Sequence, residues 1–142
     1  MVRSTFIRNL AKKALMETFN ELELSPEMHR AITELGYTKP SQIQSEALPI
    51  LLNEDTDFLG LAATGTGKTA AFGIPLLEKI HGHKKVVQGL IMCPTRELAL
   101  QVCGQINLLG KYKGIKALPI YGGAGYEEQI RGLKSGSQVV VG

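Results

Sequence analysis

The sequence predicts an α/β fold in which a parallel sheet carries helices on both faces. Short apolar runs alternate along the chain with longer segments of helical spacing, which is the order of strand–helix–strand units. Most of these runs do not alternate polar with apolar residues, as expected of strands buried on both sides. With 142 residues, 44% of them hydrophobic, the chain has the size of one domain with one core.

Capping residues and glycines mark the ends of the predicted helices. Ser25 is a good N-cap, Pro26 suits the first helical position and Gly36 ends the first helix. We predict further helices over 41–52, kinked or interrupted near Pro49, over 68–80 despite Pro75, over 95–109 and over 126–133.

The apolar runs give the predicted strands, at 58–62, 89–93, 115–121 and 138–141. The sequence stops at Gly142, directly after the last run, so we expect the chain to be cut inside a domain. We also expect residues 139–141 to form an exposed sheet edge that promotes aggregation.

The net charge of +3 comes from the first residues of the chain. Residues 1–16 hold four basic residues and no acid, which leaves 12 basic and 13 acidic residues in the remainder. The overall charge therefore gives no indication of nucleic-acid binding. We interpret residues 1–16 as a basic extension, disordered or helical. A mitochondrial transit peptide and a true start at Met16 stay open as alternatives.

The apolar segments and the cysteines indicate the cellular compartment of the protein. No apolar run approaches the roughly 18 residues that a membrane span needs, so we predict no membrane association. Cys93 and Cys103 lack metal-ligand spacing and indicate two reduced thiols in a cytoplasmic protein.

A glycine-rich segment fits the Walker A pattern of phosphate-binding loops, and its residues are Ala62, Ala63, Thr64, Gly65, Thr66, Gly67, Lys68 and Thr69. The two glycines permit a tight turn whose amides point at phosphate oxygens, and the following helix adds its positive end. Lys68 places a cation on the β and γ phosphates, and the Thr69 hydroxyl can ligate Mg²⁺. We therefore predict nucleoside triphosphate binding with Mg²⁺, with Lys68 and Thr69 as the catalytic candidates.

Several segments, in order, resemble the DEAD-box ATP-dependent RNA helicases. Phe19 lies 17 residues before Gly36, and residues 36–44 (Gly-Tyr-Thr-Lys-Pro-Ser-Gln-Ile-Gln) are similar to the adenine-reading Q motif. Residues 62–69 are similar to motif I, residues 94–99 (Pro-Thr-Arg-Glu-Leu-Ala) to motif Ia, and Gly122-Gly123 to the GG motif. The resemblance favours a bacterial-type member. It implies that residues 17–142 form part of the first RecA-like, ATP-binding domain.

This resemblance implies a set of adenine-binding residues, namely Phe19, Lys39 and Gln44. The Gln44 amide can donate and accept at once, which matches the adenine edge, and Phe19 could stack on the base. Two structural roles stay open: Gln44 as the third helical residue of a capping box begun by Ser41, and Phe19 as a core residue.

The resemblance also implies contacts with the backbone of single-stranded RNA, made by Pro94, Thr95, Arg96, Gly122 and Gly123. Contacts of this kind bind without sequence preference. The open alternative is structural, with Thr95 as an N-cap and Arg96 paired with Glu97 or another acid.

Two features depart from the complete family pattern. Ala63 stands where the family commonly has glutamine. Hydrolysis needs a carboxylate pair at the end of a strand, yet after Lys68 the only acids are Glu78, Glu97, Glu127 and Glu128. The resemblance thus implies that the Asp-Glu-Ala-Asp motif and a second RecA-like domain lie beyond residue 142.

We expect an ATP-dependent RNA helicase that acts on single-stranded or duplex RNA in its full length. These 142 residues alone should bind ATP with Mg²⁺ weakly and neither hydrolyse it nor unwind RNA. The alternatives are a non-enzymatic module that binds adenine nucleotide or RNA, and another P-loop ATPase.

Overall fold

The computed structural model describes residues 16–142, so the predicted basic extension lies outside the described residues apart from Met16. Five α-helices and three β-strands are present in this part of the chain, together with short 3₁₀-helices at Phe19–Glu21 and Lys111–Lys113. The helices are α1 (Pro26–Glu34), α2 (Gln42–Asn53), α3 (Lys68–Lys79), α4 (Arg96–Gly110) and α5 (Tyr126–Lys134). The strands are β1 (Gly89–Ile91), β2 (Ala117–Pro119) and β3 (Val139–Val141). Within the described range no helix combines the length and the apolar character that crossing a membrane requires.

The three strands form a parallel sheet in the order β1-β3-β2. The last strand in the chain is therefore the central strand of the sheet, with Val139 and Val141 both 0% exposed. The prediction of an exposed sheet edge at 139–141 is wrong, because β3 is inserted between the two earlier strands, β1 and β2. The edges are β1 and β2.

Helices cover the sheet from both faces, as predicted. Successive side chains of a strand point to opposite faces, and β2 shows both environments. Ala117 packs against the main core, which includes Ile106 and Leu109 of α4. Leu118 on the opposite face contacts Gly132 of α5.

The helix ends follow the capping signals closely. Ser25 Oγ accepts a hydrogen bond from the Met28 amide at 3.3 Å, and Pro26 is the first residue of α1. Both α2 and α3 run without a break through Pro49 and Pro75, so the interruption considered near Pro49 is absent. A proline inside a helix costs about 3 kcal/mol. Packing between α2 and α3 offsets this cost, since Leu48 and Ile74 are both 0% exposed.

The predicted strand at 58–62 is wrong. This apolar segment has no regular secondary structure, pairs with no described strand, and leaves Leu59 and Leu61 86% and 89% exposed. A cavity of about 570 Å³ is lined by Phe58 and Gly60 on this segment and by Leu90 and Met92 at β1. The segment lacks a strand partner because the described sheet ends at β1.

Candidate nucleotide and RNA site

The phosphate loop turns sharply at two glycines before α3 begins. Gly65 has φ 77° and Gly67 has φ 86°, both in the left-handed region that glycine enters without steric cost. Gly67 is the N-cap of α3, so the helix starts at Lys68 and its free amides face the loop. The predicted strand before the loop is missing, but the predicted turn and helix are present.

Internal hydrogen bonds close the loop on itself. Lys68 Nζ donates to the Ala62 carbonyl at 2.6 Å, and Thr66 Oγ1 donates to the Ala63 carbonyl at 2.7 Å. Ala63, Thr64 and Gly65 are exposed. Lys68 and Thr69 line the 570 Å³ cavity beside Met92 and Cys93. Lys68 and Thr69 thus border a cavity whose other lining residues are mostly apolar, and the Lys68 ammonium is held at the loop by the Ala62 carbonyl.

Gln44 connects α2 to the phosphate loop. Its Oε1 accepts from the Ser41 amide at 2.9 Å, and its Nε2 donates to the Gly67 carbonyl at 3.1 Å. The side chain is only 7% exposed. The Gln44 half of the capping box considered as an alternative is therefore present, and it fixes which end of the amide carries the oxygen. One N–H and one lone pair remain for another partner.

The other predicted adenine contacts differ in accessibility. Phe19 is 4% exposed and belongs to the main core, with its ring stacked on Tyr37 at a centroid distance of 6.3 Å. The core role is thus observed, and base stacking stays a prediction that requires the ring to be uncovered. Lys39 is exposed in the turn before α2. Ser41 Oγ is buried and has no hydrogen-bond partner among the described residues.

Residues 94–99 form the N-terminus of α4. Thr95 is the N-cap and accepts a hydrogen bond from the Leu98 amide at 3.3 Å, as the structural alternative proposed. Arg96 does not pair with Glu97 or any other acid of residues 16–142. Its guanidinium instead lies 4.5 Å from the centroid of the Tyr121 ring. A stacked guanidinium keeps its donors available at the rim of the ring.

Backbone hydrogen bonds bring the loops after all three strands to one edge of the sheet. The Gly142 amide donates to the Ile91 carbonyl at 2.9 Å, and the Ile120 amide donates to the Val141 carbonyl at 2.8 Å. The Arg96–Tyr121 stack places Gly122 and Gly123 next to the start of α4. Both glycines are exposed, and Gly123 has φ 85°. We call this carboxyl-side surface, formed by residues 94–96 and 121–123, the candidate RNA surface.

Metal-binding side chains are sparse around this site. Across residues 16–142 there is no group of three or more His, Cys, Asp and Glu side chains placed to hold a metal ion. Glu78, one of the few acids after Lys68, pairs with Lys113 at 3.1 Å. The Thr69 hydroxyl is therefore the only predicted protein ligand for Mg²⁺. One hydroxyl fits this cation when phosphate oxygens and water supply the other ligands.

The sequence profile of the DEAD/DEAH box helicase family matches residues 41–142, which is most of the chain. The chain belongs to the DEAD/DEAH box helicase family. This match includes the phosphate loop, residues 94–99 and Gly122-Gly123, so the resemblance drawn from these segments is confirmed.

Named relatives of this helicase family are similar over most of the chain. It is 46% identical over 127 residues to the DEAD-box ATP-dependent RNA helicase CshA of Bacillus cereus, covering 89% of this chain and 24% of that protein. It is 50% identical over 126 residues to the ATP-dependent RNA helicase DeaD of Mycobacterium tuberculosis, covering 88% of this chain and 22% of that protein. The chain thus spans about a quarter of the length of the curated relatives it matches.

Solved structures of DEAD-box proteins share the fold. A DEAD box protein from the hyperthermophile Methanococcus jannaschii superposes with a TM-score of 0.83 at 40% identity, covering 89% of this chain and 34% of that chain. Dbp5 of S. cerevisiae, bound to RNA and ADP BeF3, superposes with a TM-score of 0.77 at 32% identity, covering 89% of this chain and 32% of that chain. The predicted parallel α/β fold of RecA-like type is therefore confirmed.

Two contacts in this DEAD-box chain were missed from the sequence. The Gln44–Gly67 hydrogen bond joins residues 23 positions apart, and no spacing rule indicates it. Tyr121 was not singled out, although an aromatic residue directly before two glycines at the end of a strand is a signal that could have identified it. Both contacts link one predicted binding segment to another.

Proposed function

We propose that this chain is the N-terminal ATP- and RNA-binding part of an ATP-dependent RNA helicase. The observation that carries the proposal is that the phosphate loop and the candidate RNA surface flank the end of β1. Lys68 and Thr69 line the same cavity as Cys93, which directly precedes residues 94–96. A nucleotide and an RNA strand would therefore bind at the same end of the sheet, where binding of one ligand can change the affinity for the other.

The triphosphate would be held mainly by the backbone of the phosphate loop. Amides near Gly65, Gly67 and the start of α3 offer hydrogen bonds, and Lys68 offers the compensating charge. Mg²⁺, when bound, would neutralise phosphate charge and take the Thr69 hydroxyl as a ligand. Gln44 would read the adenine edge with the N–H and lone pair that its structural hydrogen bonds leave free.

RNA would bind through the candidate RNA surface. Arg96 offers several N–H donors to phosphate, and the Thr95–Arg96 segment adds the N-terminal end of α4. The exposed backbone at Gly122 and Gly123 allows a strand to approach closely, because no side chain covers it. Contacts from the Arg96 guanidinium and from backbone amides go to phosphate and sugar, which supports binding without sequence preference.

Binding without turnover is the behaviour we propose for these 142 residues. After Lys68 the acids are Glu78, Glu97, Glu127 and Glu128, and none of them lines the cavity that Lys68 and Thr69 face. Water activation would therefore need carboxylates from elsewhere. We place residues 17–142 in the first RecA-like domain, and the second RecA-like domain would complete the active site of the whole enzyme. A cytoplasmic location stays a prediction.

Calorimetric titration of ATP with Mg²⁺ tests the nucleotide site. Lys68→Ala removes a charge-assisted contact of about 1.5–3 kcal/mol, so affinity should fall by roughly 10- to 150-fold. Titration of GTP tests Gln44, because a site that reads adenine should bind GTP more weakly. Equal affinities for ATP and GTP would count against Gln44 as the adenine reader. ATP turnover by the 142-residue chain that Lys68→Ala abolishes would contradict binding without hydrolysis.

A further inference from the structure

Positive charge is concentrated at the end of the sheet where the three strands begin. Residues 79–96 contain no Asp or Glu, and neither do residues 98–126 or 129–142. Several lysines of these segments are exposed at or near the residues that precede the three strands, and four of them define what we call the lysine edge: Lys84, Lys85, Lys116 and Lys134. Because residues 17–142 together carry 12 basic and 13 acidic residues, this cluster is a strong local asymmetry in a nearly neutral body.

One buried side chain holds the lysine edge together. Gln138 is 3% exposed, and its Nε2 donates to the carbonyls of Lys84 at 3.0 Å and Gly136 at 2.8 Å. Its Oε1 accepts from the Lys116 amide at 2.9 Å. Lys85 also packs against Gly136, two residues after Lys134. The segments that carry the four lysines are therefore fixed relative to one another, and the charge is presented by an ordered backbone.

Acidic partners do not neutralise this surface. Glu78 is the acid that precedes the segment, and it is engaged by Lys113 at 3.1 Å and by the Ser25 hydroxyl at 2.8 Å. None of the four lysines forms an ion pair with any acid in residues 16–142. The ammonium groups are thus available to an external polyanion.

We propose that the lysine edge binds the phosphate backbone of duplex RNA, at a site separate from the candidate RNA surface. The two surfaces lie at opposite ends of the strands. Gln88 precedes β1 and Pro94 follows it, so about six residues at about 3.3 Å each put them up to roughly 20 Å apart. A duplex segment beside the strand held at the candidate RNA surface is a fitting occupant.

The residue types favour a duplex over a single strand. Lysines act as point charges for phosphate and carry little base information. Residues 79–89 contain no Phe, Tyr or Trp, so stacking on unpaired bases in this segment would rest on the imidazole rings of His81 and His83 alone. Binding to phosphates in this way releases counterions, which makes the affinity depend steeply on salt.

The test measures the affinity of the 142-residue chain for a short blunt RNA duplex over a series of salt concentrations. The slope of log affinity against log salt is negative, and its magnitude should fall by about 1.8 in the double variant Lys84→Gln/Lys85→Gln, because each phosphate that a lysine neutralises contributes about 0.9 to that magnitude. The matched control, Arg30→Gln/Lys111→Gln, also removes two charges. Neither residue belongs to the lysine edge, and Lys111 is already paired with Glu34 at 2.7 Å, so the slope should stay unchanged.

The outcomes separate this proposal from the proposed function. An unchanged duplex slope in Lys84→Gln/Lys85→Gln would overturn the lysine edge, even if Arg96→Ala weakens binding of a single strand. A duplex slope of smaller magnitude together with no effect of Arg96→Ala on single-stranded RNA would support the lysine edge and count against the candidate RNA surface. Binding to phosphatidylserine vesicles that the double variant loses, with the duplex slope unchanged, would assign the edge to a membrane surface and overturn the proposal.

Discussion

The contact between Gln44 and the phosphate loop can be tested by adding one methyl group at Gly67. A Cβ at this position would overlap the Gln44 amide nitrogen and lie 3.2 Å from Ser41 Oγ. Gly65 provides the matched control, because its φ of 77° is similar to the 86° of Gly67, while a Cβ there meets nothing within 4 Å. The two substitutions share the backbone strain and differ in the clash.

The magnitudes follow from the strain and the clash. A non-glycine residue in the left-handed region costs about 1–2 kcal/mol, which is the whole expected loss for Gly65→Ala. Gly67→Ala must also displace the Gln44 amide, which is 7% exposed and donates to the Gly67 carbonyl at 3.1 Å. Leaving a buried amide without its partner costs about 1–3 kcal/mol. We therefore expect Gly67→Ala to lower the free energy of unfolding by about 2–5 kcal/mol.

Urea unfolding followed by circular dichroism measures both variants under the same conditions. Equal losses of stability in Gly67→Ala and Gly65→Ala, within about 0.5 kcal/mol, would show that the clash with Gln44 contributes nothing. A second check uses Gln44→Ala as the background. Without the amide in the way, Gly67→Ala should cost no more than Gly65→Ala.

Further predictions concern the arginine stack and the thiols. Tyr121→Ala should weaken binding of single-stranded RNA by a few-fold, because a cation–π contact is worth about 0.5–1 kcal/mol at an exposed site, whereas Tyr121→Phe should retain the affinity. Fluorescence anisotropy checks both, and equal losses would show that the ring does not position Arg96. Burial raises the pKa of the Cys103 thiol, so less thiolate forms at a given pH. Iodoacetamide should therefore label Cys103 more slowly than the half-buried Cys93 in the folded chain, as mass spectrometry would show; equal rates would contradict this. Because the native state holds the Cys103 proton more tightly, this thiol's contribution to stability should be present below its ordinary pKa of 9.0 and lost as the pH rises through the raised value.

Local signals predicted the helices of this fold because their causes are local. The signals for α1 lie within one helical turn of its ends. Ser25 and Pro26 mark its start and Gly36 marks its end, and the observed helix lies between Ser25 and Gly36. The phosphate-loop turn was equally predictable, since glycine is the residue that adopts positive φ freely. The interruption considered near Pro49 is absent, because packing against α3 offsets the cost of the proline and cannot be read from α2 itself.

Strand pairing was less predictable because it depends on residues far apart in sequence. The apolar run at 58–62 has the composition of a buried strand, yet a strand exists only where a neighbour supplies hydrogen bonds. The central position of β3 was missed for the same reason. At the site, the Gln44–Gly67 and Arg96–Tyr121 contacts likewise join segments that only the folded chain brings together.

The open side of the sheet limits the protein concentration at which binding by this chain can be measured. Four large apolar side chains are exposed to water on this side. They are Leu59 and Leu61 in the unpaired segment, and Leu90 and Met92 at β1. Beside them the β1 edge offers free backbone donors and acceptors to a second molecule. Self-association should therefore rise with protein concentration, and an environment-sensitive dye should bind to the folded chain. Affinities measured at high protein concentration would report a mixture of monomer and aggregate, so dilute samples with a sedimentation control are required.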